Sequence, residues 1–417
     1  MTHLVRYPRV RVIGSRWSPQ IHRIKDFLAR NQIAYEWLEI DRNVAARQTL
    51  AEHGLASDDM PVVIFPNGTH LIHPSNIEIS VALGMPAHTQ ATSYDIVIVG
   101  GGPAGLATAI YSSSEGLHTA LIEREALGGQ AGTSPRIDNY LGFPEGLSGS
   151  DLARRAATQA HRFGVDILVP RAVTGIQPAE PDHSVMLDDG STLHGRSVAI
   201  TAGVTYRRLT TPGAERLIGA GVYYGAANTE AQAVRDEAVA ILGGGNSAGE
   251  AALLLARYAR HVTLITLTDS LPVNMSRYLV DQITAVPNIQ IRAGSTVAEA
   301  LGDTHLDALT VKHVTTGEEH HLSVAALFIF IGAKPHTGWL AGLLARDDQG
   351  FLITGGVGQQ RPPDWPLERD PALLESNVPG IFVAGDVRHG SIKRIATSVG
   401  EGAMAAQLVH VYLDAKS

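Results

Sequence analysis

Two glycine-rich turns of one kind constrain this chain more than any other feature. Gly100-Gly101-Gly102-Pro103-Ala104-Gly105 follows an apolar run at residues 94–99, and Gly243-Gly244-Gly245-Asn246-Ser247-Ala248 follows another at 237–242. Each turn precedes an Ala/Leu-rich stretch of helical character, the strand–turn–helix frame in which such a pattern holds the pyrophosphate of a dinucleotide. The first glycine permits the tight turn. The second lets backbone N–H groups approach the phosphates, and the third lets helix and strand pack closely, with Ala248 in that last place in the second turn. The helix N-terminus adds unpaired N–H donors and partial positive charge. A lone pattern of this kind often marks only a packing turn, but two in the same frame point to two nucleotide sites.

The chain has 417 residues, 44% hydrophobic and 18% charged, enough for two or three domains with their own cores. A formal charge of −8, without a basic block, argues against a nucleic-acid surface. No stretch reaches about 18 consecutive apolar residues and the first residues lack an apolar signal core, so no membrane association and a cytoplasmic setting are expected. The chain contains no cysteine. That removes disulfides, thiolate metal sites and cysteine nucleophiles together. Of the 18 histidines only His320 and His321 are adjacent, without ligand spacing, and no metal is expected.

Residues 1–88 read as a small α/β domain. Strands are expected at 10–13, 35–40 and 62–65, with helices at 19–31 and 44–53. This βαβαβ order implies a parallel start, and Met60-Pro61 is a candidate cis-proline turn. The segment resembles the glutaredoxin and thioredoxin folds. Where those carry a CxxC at the start of the first helix, this chain reads Ser18-Pro19-Gln20-Ile21. Ser18 suits an N-cap and Pro19 the first helical position, so the segment reads as a retained scaffold. Residues 84–93, rich in small and turn-forming residues, read as a linker.

Beyond the first turn, a helix at 103–114 leads to a strand at 119–122 that ends at Glu123, 18 residues after Gly105. That is close to the spacing of about 20 at which an acid accepts hydrogen bonds from ribose hydroxyls. The second turn opens a helix expected at 248–260 and a strand at 261–265, and Thr266 stands where Glu123 stands in the first. Neither an acid for a free ribose nor an arginine pair for a 2′-phosphate is evident in Thr266-Leu267-Thr268-Asp269-Ser270, which leaves NADH against NADPH open.

From Tyr94 onward the chain resembles the low-molecular-weight thioredoxin reductases, class II of the pyridine nucleotide-disulfide oxidoreductases. The likeness rests on the two glycine turns, on Gly128-Gly129-Gln130, on Phe382-Val383-Ala384-Gly385-Asp386-Val387, and on Lys393-Arg394-Ile395-Ala396-Thr397-Ser398-Val399-Gly400-Glu401-Gly402. It implies an α/β fold with two Rossmann-like nucleotide-binding domains, for FAD at 93–206 plus 331–417 and for NAD(P)H inserted at 207–330. The small thioredoxin/glutaredoxin-like domain precedes them. FAD is then expected on Gly100, Gly102, Pro103, Ala104, Gly105 and Glu123, with Gly129, Gln130 and Asn139 at the isoalloxazine edge and Asp386 on a ribityl hydroxyl. Gly243, Gly245, Asn246, Ser247 and Ala248 are expected to hold the reduced nicotinamide nucleotide. A helix starting near Lys393, Arg394 and Ile395 would turn its positive end to the flavin. The resemblance also implies a homodimer and a rotation between the nucleotide domains.

One departure governs the chemistry. Thioredoxin reductases place a CxxC followed by Asp just before the second nucleotide fold, and the aligned segment here is Gly225-Ala226-Ala227-Asn228-Thr229. Gly225 and Asn228 replace the sulfurs, so no internal dithiol relay is expected and no side chain is assigned a catalytic role. Electrons would leave from the flavin to a redox protein, a quinone, another small molecule or O2. The ferredoxin-NADP reductase class of the same architecture also lacks the disulfide, but fold alone does not give function. Tyr223 and Tyr224, beside the missing site, read as core aromatics in preference to a flavin wall. The alternative is a catalytically silent flavin- or nucleotide-binding sensor whose first domain docks a partner.

Overall fold

Apolar runs bounded by glycine and proline set the element order seen in the computed structural model, which describes residues 9–85, 89, 91–134, 136–225, 228–356 and 361–416, side chains of 228–230 excepted. The chain divides into two compact units, Met1–Gly84 with Tyr206–Gly332, and Met85–Thr205 with Ala333–Ser417.

The N-terminal part runs β1 (Val10–Gly14), α1 (Pro19–Arg30), β2 (Tyr35–Glu39), α2 (Val44–Glu52), β3 (Val62–Ile64), β4 (His70–Ile72) and α3 (Asn76–Ala82). Ser18 caps α1, accepting the Ile21 N–H at 3.4 Å, and Pro19 follows at the first helical position. Ile21, Ile24, Phe27 and Leu28 recur at helical spacing and are buried. The sheet order is β2-β1-β3-β4. β1 and β2 are parallel as expected, but β3 is antiparallel to β1, with Val12 opposite Val63. Element order does not fix strand direction: β3 enters from the opposite end and returns at once into β4 through a turn closed by Gly68 N–H to the Phe65 carbonyl. The Met60–Pro61 bond is cis.

The next segment carries β5 (Ser93–Val99), α4 (Pro103–Ser114), β6 (Thr119–Ile122), α5 (Gly149–Arg162), β7 (Asp166–Leu168), β8 (Val173–Gln177), β9 (His183–Leu187), β10 (Thr192–Ile200) and β11 (Val204–Tyr206). β7, β6, β5 and β10 are parallel neighbours, and β9 and β8 extend the sheet antiparallel. The last four residues of β5 are all buried, as a parallel strand covered on both faces requires.

The inserted segment carries β12 (Val222–Tyr224), α6 (Asn228–Ala233), β13 (Ala238–Leu242), α7 (Asn246–Leu255), β14 (His261–Ile265), α8 (Arg277–Ala285), β15 (Ile289–Arg292), β16 (Ser295–Leu301), β17 (Ala308–His313), β18 (Glu319–Ser323) and β19 (Ala326–Ile329). A parallel five-stranded sheet has the order β12-β19-β13-β14-β15, with β16-β17-β18 as a separate antiparallel sheet. α7 starts two residues before the expected position and stops five residues early. The Asn288 side-chain amide donates to the Ala256 and Ala259 carbonyls at 2.9 and 3.2 Å, taking the acceptors a longer helix would have used.

The chain closes with β20 (Ala333–Pro335), β21 (Ile381–Val383), which pairs in parallel with β10, and α9 (Ile395–Asp414). In the Pro- and charge-rich stretch 361–370, Arg369 reaches back to the fully buried Glu375 with two hydrogen bonds of 2.7 and 2.8 Å. That carboxylate also accepts the Ala372 and Gly380 N–H groups at 2.8 and 3.1 Å, and the pairing raises the Arg369 guanidinium further above its usual range. Glu375→Ala strands two backbone donors and is expected to destabilise this unit by about 3 kcal/mol. A calorimetric melt checks it, and an unchanged transition would refute the assignment.

Candidate functional site

In the second unit, β5 delivers its glycine turn to the start of α4. Gly100 has φ +111, and a Cβ there would lie 2.5 Å from the Thr201 carbonyl oxygen. A Cβ on Gly105 would lie 1.8 Å from the Gly100 carbonyl oxygen, so helix and strand touch at backbone distance. Gly102, the N-cap of α4, is different. A Cβ there meets only the Gly129 Cα, at 4.0 Å, leaving this side of the helix N-terminus clear for a ligand. Pro103 takes the first helical position and Ala104 is buried behind it.

Glu123 lies beside this turn. Its carboxylate accepts the Gly101 N–H and the Glu125 N–H, each at 2.8 Å. An acidic side chain is thus fixed at the end of β6, next to the first glycine turn. Gly129 stands across from Gly102, where its own Cβ would come 3.1 Å from the Gly102 Cα. Gln130 and Asn139 are exposed, in the loop between β6 and α5.

The C-terminal motif closes on the same turn. A Cβ on Gly385 would lie 2.8 Å from the Ala104 Cβ, and one on Gly402 would lie 2.3 Å from the Ala104 carbonyl oxygen. α9 therefore crosses α4 close to the first glycine turn and to Gly385. Asp386 accepts from the Ser398 hydroxyl at 3.3 Å, and burial pushes its carboxyl above the usual carboxylate range, opposed by the Lys393 ammonium. α9 begins at Ile395 with Arg394 as its N-cap and no acid in its first turn. The Lys393 ammonium sits 4.2 Å from the centre of the Phe351 ring and donates to the Asp386 carbonyl at 3.4 Å. The positive helix end and the Lys393 ammonium thus flank Asp386.

Two residues that hold this geometry have no role in the sequence reading. Glu401 accepts the Gly385 N–H at 2.7 Å and the Arg388 guanidinium at 2.5 Å, holding the Gly-Asp turn. Thr201 donates to the Gly100 carbonyl at 2.8 Å. A glutamate among the small residues on the buried face of an Ala-rich helix is the signal that marks Glu401.

In the first unit, β13 and α7 repeat the arrangement. Gly243 packs under Phe330, Ala248 is fully buried in the third place, and a Cβ on Gly245 would meet nothing within 4 Å. Ser247 is exposed. The Asn246 side chain is engaged within the protein, accepting the Ser276 N–H at 2.8 Å and donating to the Ser276 hydroxyl at 3.0 Å. Thr266 is buried against Gly244 and pairs with Thr268 at 3.0 Å.

The pattern of the pyridine nucleotide-disulphide oxidoreductases matches residues 94–402. The chain belongs to that family. It is 32% identical over 313 residues to the F component of the alkyl hydroperoxide reductase of Staphylococcus aureus (strain MRSA252), a match covering 75% of this chain and 58% of that protein. It therefore spans a little over half the length of the curated relatives it matches. Among solved structures, Lactococcus lactis thioredoxin reductase superposes with a TM-score of 0.69 at 30% identity, over 76% of this chain and 98% of that one. The T. acidophilum thioredoxin reductase gives 0.69 at 29%, over 78% and 100%. The fold is the α/β architecture of the thioredoxin reductase-type members of the pyridine nucleotide-disulphide oxidoreductases, which use FAD and NAD(P)H.

Against that family background, Gly225 has φ +89 and lies beside the Tyr206 ring, Asn228 is the first residue of α6, and 226–227 lie outside the described residues. Tyr223 is buried against Phe328 at 5.4 Å, a core aromatic. Tyr224 accepts the Leu209 N–H at 2.7 Å. No described helix is long and apolar enough to cross a membrane.

Proposed function

We infer that this chain is an FAD-dependent NAD(P)H oxidoreductase that hands electrons to an external acceptor without a disulfide of its own. The supporting observation is that both glycine turns keep a ligand-facing opening, at Gly102 and at Gly245, in a chain with no cysteine. FAD bound at the first turn would supply a two-electron acceptor for the hydride of the reduced nicotinamide. The protein's part is placement and charge. Gly102 and the α4 N-terminus receive phosphates, Glu123 faces the ribose, Asp386 holds a ribityl hydroxyl, and the Lys393–Arg394 end of α9 favours negative charge on the reduced flavin. Gly243, Gly245 and the α7 N-terminus hold the second nucleotide.

In this reading residues 1–88 form the glutaredoxin-like domain, 93–206 with 331–417 the FAD domain, and 207–330 the inserted nicotinamide domain. Without sulfur at Gly225 and Asn228, the acceptor is a docking redox protein, a quinone, another small molecule or O2. A cytoplasmic homodimer is part of the reading. Exposed Tyr111 lines an apolar cavity of about 460 Å³ together with Leu106, Ile110, Tyr140, Phe143 and Phe163, a surface suited to a second copy.

Anaerobic mixing of the yellow protein with NADH or NADPH in a stopped-flow instrument is expected to bleach the flavin within seconds. Bound flavin that neither nucleotide bleaches would overturn the reading. That result would favour a nucleotide-binding sensor, for which the missing cysteines and the missing arginine pair in 266–270 already speak.

A further inference from the structure

The segment that follows β14 offers no arginine for a 2′-phosphate, but the sheet brings one from the neighbouring strand. β14 and β15 run parallel with Ile265 opposite Arg292, the last residue of each strand. The Thr266 N–H donates to the Arg292 carbonyl at 3.0 Å, and the Ser295 N–H donates to the Thr266 carbonyl at 2.9 Å. Thr266 also adjoins the second glycine turn, where a Cβ on Gly244 would run into its hydroxyl oxygen. Arg292 therefore stands one strand away, about 4.8 Å, from the residue at the ribose position. It does so at the carboxyl edge of a parallel sheet, the edge at which nucleotides bind.

The guanidinium is not used within the protein. Among the described residues Arg292 has no ion-pair partner, and its Nε is buried without a hydrogen bond. Such a donor is costly, because it has lost water and gained no acceptor. A second donor stands close by. His313 accepts the Thr316 N–H at Nδ1, 3.2 Å away, which leaves the hydrogen of the neutral ring on Nε2. That Nε2 lies 3.0 Å from where a Cβ on Gly294, two residues beyond Arg292, would stand. Asp269 brings a carboxylate oxygen within 3.3 Å of the same point. It is exposed and enters no ion pair among the described residues, so it does not neutralise the arginine.

We propose that Arg292 is the 2′-phosphate ligand of the second nucleotide site and makes NADPH the preferred hydride donor. A planar guanidinium pairs with phosphate oxygens through parallel hydrogen bonds, and the phosphate supplies the acceptor that the buried Nε lacks. NADH leaves that donor unsatisfied, so discrimination comes from an unpaired buried group as well as from lost attraction. The assignment rests on the reading of the second turn as the nicotinamide-nucleotide site, but not on hydride transfer.

Calorimetric titration of the flavin-loaded protein with 2′,5′-ADP and with 5′-AMP tests it. The two probes differ only in the 2′-phosphate, and neither carries a nicotinamide. The parent is expected to bind 2′,5′-ADP about tenfold more tightly than 5′-AMP. Arg292→Leu keeps the apolar stem and is expected to abolish that preference while 5′-AMP binds as before. Arg292→Lys, a point charge without the fork, should retain only part of it. Gly245→Val should lose both probes, which locates them at the second turn. Equal affinities in the parent would overturn the proposal. So would an undiminished preference in Arg292→Leu or, if that protein does not fold, in Arg292→Lys, and so would 2′,5′-ADP binding that survives Gly245→Val. A preference for 2′,5′-ADP in a protein whose flavin neither nucleotide bleaches would keep this assignment and sink the oxidoreductase reading. Bleaching by NADH and NADPH alike, with equal affinities for the two probes, would do the reverse.

Discussion

Gly102→Val is expected to give a folded protein that is colourless. The φ of −72 at Gly102 is open to any residue, and the nearest atom to an added Cβ is the Gly129 Cα at 4.0 Å. The protein itself therefore accommodates the side chain. What it loses is the clear approach to the N–H groups at the head of α4, where a pyrophosphate must come to backbone distance. A loss of FAD affinity of at least a hundredfold, about 2.8 kcal/mol, is the expected result from flavin titration. Gly105→Ala is the control with the opposite balance. Its Cβ would fall 1.8 Å from the Gly100 carbonyl oxygen, so it damages helix–strand packing and lowers the melting temperature before any ligand is added. A Gly102→Val protein that retains full yellow colour would show that the first turn does not hold the flavin.

The contrast between those glycines shows how much of the molecule the sequence carries. The frame around Gly100 was legible because a buried parallel strand reads as a continuous apolar run, and the boundaries of α4 at residues 103 and 114 follow from Pro103 and the turn at Gly116. The Ser18 cap was legible for a similar local reason. Strand direction was not, because the reversal of β3 depends on which edge of β1 is free. Glu401 had no assigned role because its partners, Gly385 and Arg388, lie more than ten residues away and meet it only once α9 is packed on α4. Asn246 shows the converse. Its place in the second glycine motif suggested a nucleotide contact, yet its amide reaches the turn before α8. Motif position identifies a neighbourhood, while the direction a polar side chain takes depends on competing partners supplied by distant sequence.

That distinction directs the second large effect to backbone rather than to Asn246. At Gly245 an added Cβ meets no atom within 4 Å and the φ of −94 is unstrained, so Gly245→Val should fold and keep its flavin spectrum. The side chain would nevertheless stand over the α7 N-terminus, on the side where the phosphates of the nicotinamide nucleotide are expected. Anaerobic bleaching at low NADH or NADPH should slow at least a hundredfold, while dithionite, which needs no nucleotide site, bleaches the protein as before. The two glycine variants thus separate the sites. One loses colour, and the other keeps colour but loses its response to nucleotide. Bleaching of Gly245→Val at the parent rate would mean that hydride donors enter elsewhere, and the intact second turn would then be only a packing turn between β13 and α7.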